Sequence, residues 1–366
     1  MVYKSFDELE AAVMQKAHKC KVAVVEAADE HVLEAVRHAV EVGLVEPLLF
    51  GKKEDIAAKL KAIGLPGDAY PIVETATPQE SATGAGMAVK EGRANFILKG
   101  LIQTGVLLKG LFKEETGFRT GRLISHMNIV QVATYPKLLA LCDAAINIAP
   151  SLEQKRDIIQ NAVDALARMG IDNPKVAVLA SAETVNEKMP ESVDAAALKE
   201  MNKNGQITGC LIEGPISYDL AVCAESAATK GYESPVAGDA DLLVCPNIVT
   251  ANVLIKCLRH TANALTAGIV VGGRVPVVLN SRAASAEDKF RTMVLAASAA
   301  GSPTADGLAL PLVPLSQPLA RFQAAALQCR SAHQARQPIT ARAFYIVPQG
   351  YDMAETNYTV LSINPG

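Results

Sequence analysis

A short segment near residue 280 carries side chains whose chemistry suits phosphate binding and proton transfer. Ser281 and Arg282 follow an apolar run at 275–279 that predicts a buried strand. Glu287 and Asp288 fall in the first turn of the helix predicted to come next. A guanidinium binds phosphate through paired hydrogen bonds, a helix N-terminus adds N–H donors, and a carboxylate accepts protons. The segment therefore predicts an anion-binding site with a base beside it.

The start of that helix also has a structural interpretation. Ser285 and Asp288 stand three positions apart, before an apolar-periodic helix predicted to end near Ala300. This spacing is typical of the N-cap and N3 residues of a helix. Asp288 can hold an N3 position and act as a base at once, and Glu287 is the competing candidate for the base. The sequence leaves both interpretations open.

Short apolar runs alternate with longer amphipathic stretches along most of the chain, and this pattern predicts the elements that position the site. Strands that are apolar on both faces and separated by helices predict a largely parallel α/β sheet. In such sheets ligands bind where loops leave the carboxyl ends of strands, the position predicted for Ser281 and Arg282. The predicted strands lie near 21–25, 47–50, 95–98, 175–179, 207–212, 242–245 and 269–271, with helices near 29–43 and after a capping box at 5–8.

Composition limits the classes of function. At 366 residues and 50% hydrophobic, the chain can bury two cores, with a change of domain predicted near 127–149. A net charge of -3 with scattered Lys and Arg argues against nucleic-acid and membrane-surface partners. No run approaches the roughly 20 apolar residues of a membrane helix, and the start is unlike a signal peptide, so a cytoplasmic location is expected. Cys occurs 7 times without a CxxC pair, which predicts reduced core thiols and no structural zinc.

Several motifs are weak on their own. Residues 84–86 match only part of a dinucleotide-binding loop and lie in a helical-looking stretch, and no Walker A sequence is present. The Ser-His pair at 125–126 lacks a nearby group to orient the imidazole, so a structural role is favoured for His126. Taken alone, Asp239 and Asp241 are interpreted as solvated loop carboxylates before a buried strand.

Five blocks of sequence, in order along the chain, resemble the phosphate acetyltransferase/phosphate butyryltransferase family, most closely the butyryltransferase branch. The likeness runs from about residue 5 to Ala300 and is specific because every block agrees. The blocks are LKGLIQTGVLLKGL, SAETVNEKMPESVDA, GQITGCLIEGPISYDLAV, VAGDADLLVCPNI and NSRAASAEDK.

The resemblance implies a fold and a reaction. The fold would resemble the isocitrate and isopropylmalate dehydrogenases, with two α/β domains around a cleft: residues 1–130 plus 270–300, and residues 131–269. The implied reaction interconverts butyryl-CoA plus phosphate and butyryl phosphate plus CoA, in a homo-oligomer. CoA and phosphate would be substrates, with no permanently bound cofactor, metal or nucleotide. The alternatives are a phosphate acetyltransferase and, from a different class, a metal- and NAD-dependent dehydrogenase of the same fold.

Family motifs carry roles onto individual positions. The resemblance implies that Ser281 donates to the developing oxyanion, that Arg282 holds the phosphoryl group and that Asp288 is the base for the CoA thiol. Glu287 remains the alternative base.

The family's motifs also imply substrate-binding positions. Thr104 and Lys109 match its anion-binding positions, with Lys in place of Arg, and Lys109 is equally well read as a solvated helix residue. Gly238 and Asn252 are implied to form a wall beside CoA.

The end of the chain has a different character. Residues 301–352 are rich in Pro, Gln, Ala and Arg without a sustained period, and the tail at 301–366 is expected to lie outside the fold. Residues 353–366 resemble the N-terminal start of an acetate/butyrate kinase. Butyrate kinase uses butyryl phosphate, which makes it the expected functional neighbour. We hypothesise that residues 301–352 derive from a shifted frame or an intergenic stretch, with Met353 as the neighbour's start.

Overall fold

In the computed structural model, residues 2–15, 19–279 and 284–301 are described, and in these ranges eleven strands form one sheet. The strand order is β3-β2-β1-β4-β11-β10-β5-β6-β9-β7-β8. The strands are β1 Cys20–Val25, β2 Val45–Gly51, β3 Ile72–Glu74, β4 Phe96–Lys99, β5 Ser125–Gln131, β6 Leu139–Cys142, β7 Lys175–Leu179, β8 Leu211–Ile216, β9 Leu242–Val244, β10 Leu265–Val271 and β11 Val277–Val278. The helices are α1 Phe6–Met14, α2 Glu30–Glu41, α3 Lys53–Ala62, α4 Pro78–Lys90, α5 Thr104–Leu111, α6 Leu152–Arg168, α7 Pro190–Lys203, α8 Tyr218–Val222, α9 Ala224–Thr229, α10 Ile248–Thr261 and α11 Ala286–Ala299.

The sheet is mostly parallel, and its antiparallel pairs meet at the centre. Strands β1 to β4 pair in parallel, as do β6, β7, β8 and β9, and β11 is parallel to β4. In contrast, β10 is antiparallel to both β11 and β5, and β5 is antiparallel to β6. The predicted largely parallel α/β fold is therefore confirmed. The division into two domains stays a prediction.

Local sequence explains where the helices begin. Asp29, Thr77 and Ser151 accept hydrogen bonds from backbone N–H groups in the first turns of α2, α4 and α6, which otherwise lack partners. The predicted cap of α1 is present, because Ser5 accepts from the backbone of Glu8. The Glu8 side chain accepts from the backbone N–H of Lys4 instead of completing the capping box at Ser5.

Helix α11 is buried along most of its length, with every residue from Lys289 to Ala299 covered. It contacts α1, α2 and β10, so its small and apolar residues (Val294, Ala296, Ala297) lie in the largest core cluster. Only its first turn reaches the surface. The fold therefore fixes the position of the turn that carries Glu287 and Asp288.

Three parts of the sheet differ from the sequence prediction, and one of them is the short strand β3, which was not predicted. The strand expected at 207–212 lies instead at Leu211–Ile216 and is β8. Ile207 is a buried residue of the loop that precedes this strand. The central strands β5 and β6 were not predicted, because β5 carries polar residues at a buried position in the sheet.

The partly Gly-rich stretch at 84–86 lies within α4, as expected. Among the described residues, no helix is long and apolar enough to cross a membrane.

Candidate active site

A cavity of about 500 Å³ opens beside the central strands, and we call it the central cavity. Strands β5 and β10, the loop after β6, and α10 each contribute to its wall. None of its described lining residues is a carboxylate, whereas three are basic or imidazole side chains on α10. The lining residues are His126, Asn128, Ala144, Ala145, Asn252, Ile255, Lys256, Arg259, His260, Thr266, Leu279 and Ala284.

Helix α10 presents one polar face to the central cavity. Asn247 caps the helix by accepting from the backbone of Thr250, which fixes its start just after β9. Asn252, Lys256 and Arg259 then follow at intervals of four and three residues, the spacing of one helix face. The Asn252 amide donates to the carbonyl of Ala144 (3.2 Å) and so links the helix to the opposite wall.

The other face of α10 is apolar. Val249 and Val253 are 66% and 61% exposed, large fractions for apolar side chains. They line a second cavity of about 690 Å³ together with Leu254 and Cys257 from the same helix.

Asp288 binds two arginines at the edge of the central cavity. Its carboxylate accepts from Arg259 of α10 (2.7 Å) and from Arg291 of its own helix (2.9 Å). Its backbone N–H donates to the hydroxyl of Ser285, the N-cap of α11. Asp288 is thus the N3 residue of α11, and its carboxylate also faces the neighbouring helix. Its role as a base stays a prediction.

Three influences set the protonation state of Asp288. Its partial burial opposes ionisation, but the hydrogen bond from Arg259 and the charges of Arg259 and Arg291 outweigh that effect. Together they hold the pKa of the carboxyl below its ordinary value. Asp288 is therefore ionised at neutral pH.

Glu287, the alternative base, has a different environment. Its side chain is 79% exposed and binds Arg291 (2.6 Å) on the solvent side of α11. Neither Glu287 nor Asp288 is among the residues that line the central cavity, but Asp288 contacts Arg259, which does line it. The first turn of α11 therefore holds one carboxylate that is largely covered beside the cavity and one that is solvated.

Ser281 and Arg282 lie outside the described residues. The described residues on either side of their segment, Leu279 and Ala284, both line the central cavity. Four residues, 280–283, connect these two positions.

Thr104 and Lys109, two predicted substrate-binding residues, are not among the described residues that line the central cavity. Thr104 and Lys109 are exposed residues of α5, whose Gly110 sits against Ala82 of α4. Within the described part of the chain, Lys109 has no ion-pair partner. Its interpretation as a solvated helix residue agrees with this placement.

Gly238 and the two nearby aspartates lie at the opposite end of β9 from α10. Gly238 has a φ of +71°, and a Cβ there would come within 2.5 Å of the Ala224 backbone, so the position requires glycine. Asp241 is not a solvated carboxylate as expected, because it binds the buried Lys137 (2.6 Å) and accepts from the backbone of Lys175 (2.7 Å). Asp239 is half exposed, yet it binds both Lys137 and Lys175.

Comparisons with known proteins identify the family. Residues 73–297 match the family described as "Phosphate acetyl/butaryl transferase". The chain belongs to this family.

Curated relatives agree with the assignment. The chain is 41% identical over 299 residues to a phosphate butyryltransferase of Clostridium acetobutylicum. The alignment covers 82% of this chain and 99% of that relative. It is 42% identical to a phosphate acetyltransferase of Thermotoga maritima, covering 76% of this chain and 94% of the relative.

Solved structures agree with the fold of the family. A branched-chain phosphotransacylase from Enterococcus faecalis aligns with a TM-score of 0.69 and 32% identity, covering 76% of this chain and 98% of the other. A phosphotransacetylase from Streptococcus pyogenes aligns with a TM-score of 0.68, covering 80% and 98% of the two chains. At 22% identity, this second likeness concerns the fold alone.

In this family member, the central cavity has lining residues on α10 that sequence reasoning did not propose for the site. Lys256, Arg259 and His260 share a helix face, and their spacing of three and four residues was the available signal. A basic helix face is usually solvated, however, so the signal gains meaning only when the face is seen to line a cavity.

The six described cysteines differ in exposure, and Cys20 and Cys223 are partly buried. Cys142, Cys210 and Cys245 are buried free thiols, as expected, and burial raises the pKa of Cys210 and of Cys245 to about 12. Cys257 is exposed on α10 and departs from the prediction of core thiols. In residues 2–15, 19–279 and 284–301, no group of three or more His, Cys, Asp or Glu side chains is placed to hold a metal ion.

Proposed function

We propose that this protein transfers an acyl group between CoA and phosphate, interconverting butyryl-CoA plus phosphate and butyryl phosphate plus CoA. The observation that carries the proposal is the central cavity of this family member. Lys256 and Arg259 give it cationic walls, and both flanks of the segment that holds Ser281 and Arg282 line it. A cavity of that charge suits a phosphate dianion next to an acyl group.

The proposed reaction assigns a role to each residue of the segment. Arg282 binds the phosphoryl group through paired hydrogen bonds. The CoA thiolate attacks the carbonyl carbon of the acyl phosphate, and the carbonyl π electrons move onto oxygen, which accepts a hydrogen bond from Ser281. Collapse of this intermediate re-forms the carbonyl and breaks the bond to the phosphate oxygen, which leaves with the electron pair.

Asp288 is the proposed base for the CoA thiol. It is ionised, it lies beside the cavity, and its partner Arg259 lines the wall. Accepting the proton requires the carboxylate to loosen its contact with Arg259. A substrate anion bound to Arg259 would provide the competing partner for that guanidinium.

Two aspects of the architecture belong to the same proposal. We place the cavity in a cleft between two α/β domains, as in the dehydrogenases named above. A 4-hydroxythreonine-4-phosphate dehydrogenase from Klebsiella pneumoniae, with a TM-score of 0.53 at 13% identity, supports a dehydrogenase-like fold and not the position of the cavity. We also propose a homo-oligomer, because the exposed apolar face of α10 suits burial against another copy. Light scattering that returned a monomer mass would contradict the second point.

Acetyl-CoA is the second candidate substrate, and the acetyltransferase of Thermotoga maritima at 42% identity favours it. The test is phosphate-dependent loss of thioester absorbance with acetyl-, propionyl-, butyryl- and isobutyryl-CoA. Fastest turnover with butyryl-CoA is expected, and omission of phosphate should abolish it. No turnover with any substrate would refute the transferase, whereas a preference for acetyl-CoA would refute only the butyryl assignment. NAD reduction without thioester loss would instead support the dehydrogenase alternative.

We also propose that butyrate kinase is the functional neighbour of this protein, and that the tail beyond Ala300 is an addition to the transferase fold. Residues 302–366 lie outside the described structure. The mass of the protein purified from its native cells tests the second point. A mass that includes the whole tail to Gly366 would contradict it.

A further inference from the structure

His126 occupies an unusual position for an imidazole, near the start of the central strand β5. Side chains two apart on a strand share a face, so His126 and Asn128 both face the central cavity, and both line it. Met127 and Ile129, which alternate with them, lie in the main core instead. The residue is only 7% exposed, so its ring is held by the protein rather than by solvent.

The neighbouring strand leaves room for this ring. Gly268 of β10 pairs across the sheet with Asn128. A Cβ at position 268 would lie 2.6 Å from Oδ1 of Asn128 and 2.7 Å from Cε1 of His126. Both distances are shorter than the contacts that Cβ atoms make in proteins. The imidazole and the amide thus fill the space that a side chain at 268 would need.

The hydrogen bond between the two side chains fixes the tautomer. Nδ2 of Asn128 lies 2.9 Å from Nδ1 of His126. An amide nitrogen can only donate, so Nδ1 accepts and the ring proton resides on Nε2. Among residues 2–15, 19–279 and 284–301, no group accepts a hydrogen bond from this Nε2–H.

The surroundings keep the ring neutral. Burial lowers the pKa of His126, and the carboxylate of Asp143, which accepts from the His126 backbone N–H (3.1 Å), opposes this only in part. From α10, the charged or titratable groups that face the same cavity are Lys256, Arg259 and His260. Like charges such as those of Lys256 and Arg259 disfavour a protonated imidazole.

We propose that His126 is a catalytic residue whose neutral Nε2–H donates a hydrogen bond to the carbonyl oxygen of the acyl group, and that Asn128 is the positioning residue that aims it. This inference rests on the proposed acyl transfer. When the thiolate forms its bond to the carbonyl carbon, the oxygen gains negative charge and the hydrogen bond strengthens. The proton stays on His126, and the bond weakens again when the carbonyl re-forms and phosphate leaves. The cations of α10 can bind the phosphate, which is charged throughout the reaction. A neutral donor can stabilise the carbonyl oxygen, which is negatively charged only in the transition state and the intermediate.

The first test compares two substitutions of the ring in the thioester assay. His126→Ala removes the donor and should lower kcat by about 10²–10³-fold with KM changed little, because the bond strengthens only in the transition state. His126→Gln returns an N–H near the position of Nε2 and should stay within about tenfold of the wild type. His31→Gln, at an exposed histidine of α2, is the matched control and should be unchanged. Wild-type kcat in His126→Ala would overturn the inference.

The second test moves the proton without removing the ring. In Asn128→Asp, a carboxylate accepts from Nδ1, so the proton leaves Nε2, and kcat should fall about as far as in His126→Ala. The ¹⁵N NMR signals of ring-labelled histidine, assigned by their loss in His126→Gln, should show a protonated Nε2 in the wild type and a protonated Nδ1 in Asn128→Asp. A wild-type ring protonated on Nδ1 would overturn the proposal.

The pH–rate profile separates a donor from a base. If His126 is a hydrogen-bond donor, His126→Gln should keep the acid limb of the wild-type profile, that is, the fall in rate at low pH. Loss of that limb would make His126 a base and overturn the inference. If the wild-type protein itself shows no phosphate-dependent turnover, the proposed function fails. The NMR measurement still reports the tautomer in that case, so the two failures are distinguishable.

Discussion

The two ends of β9 carry charged clusters of opposite character. Before the strand, Lys137 and Lys175 meet Asp239 and Asp241, so cations and carboxylates balance and the groups bind one another. After the strand, α10 presents Lys256, Arg259 and His260 to a cavity whose described lining holds no carboxylate. We call the first the paired cluster and the second the cationic face.

The difference separates stabilising charge from functional charge. Buried charges that are paired satisfy one another, and removing one leaves the other without compensation. On the cationic face Arg259 binds Asp288, but Lys256 has no ion-pair partner among the described residues, and such an excess of positive charge attracts an anion. The paired cluster should therefore govern stability, and the cationic face should govern turnover.

The largest expected effect concerns Asp288, where the cationic face meets α11. Asp288→Asn should lower kcat/KM by about 10²–10⁴-fold in the thioester assay run towards acyl-CoA, as expected for loss of a general base. The deficit should shrink as pH rises, because the CoA thiol then ionises without help. Glu287→Gln is the matched control and should stay near the wild type. The opposite ranking of the two variants would transfer the role of base to Glu287.

Next in size is the removal of a cation from the paired cluster. Lys137→Met keeps the length of the side chain but leaves the carboxylates of Asp239 and Asp241 underpaired, so the free energy of unfolding should fall by about 3–5 kcal/mol. Urea denaturation measures this. Lys113→Met, at an exposed lysine, should change stability by less than about 0.5 kcal/mol. A large loss of kcat in folded Lys137→Met would contradict the assignment of this cluster to stability.

Removing a cation from the cationic face should have a smaller effect, mainly on activity, because Asp288 keeps Arg291 as a second partner. Arg259→Gln should lower kcat/KM for the acyl phosphate by about tenfold to a hundredfold, the range for one hydrogen bond to a charged group. Arg93→Gln, which alters an exposed ion pair with Glu91, serves as the control. Unchanged kinetics in Arg259→Gln would remove α10 from the anion site.

The smallest effect is a pH dependence of stability. For Asp239, burial opposes ionisation, but hydrogen bonds from Lys137 and Lys175 and their charges lower its pKa below the ordinary value. A carboxyl with a depressed folded-state pKa stabilises the fold above its unfolded pKa and loses that contribution as pH falls through the folded value. The unfolding free energy should therefore decline below about pH 4, by roughly 1 kcal/mol or less because Asp239 is half exposed. The decline should be smaller in Lys137→Met, and an equal decline there would contradict the pairing.

Sequence reasoning succeeded where the deciding interactions are local. The cap of α11 follows from Ser285 and Asp288, three residues apart, and the apolar strands β1 and β7 follow from their composition. It failed where partners are distant. Asp241 looked solvated because Lys137, which binds it, is 104 positions away. Strand β5 was not predicted because it lacks a continuous apolar run: His126 and Asn128 are polar and face a cavity instead of the core.

The pairing of β5 with β10 has a consequence for how this protein can change in length. His126 and Asn128 reach the cavity only while Gly268 stays opposite Asn128. Adding or deleting one residue at the start of β5 would turn those side chains into the apolar core and expose the residues that alternate with them, and the same change in β10 would move Gly268 from its place opposite Asn128. Homologues can therefore vary in their surface connections, but between Ser125 and Gln131 and between Leu265 and Val271 they should admit substitutions and no insertions or deletions.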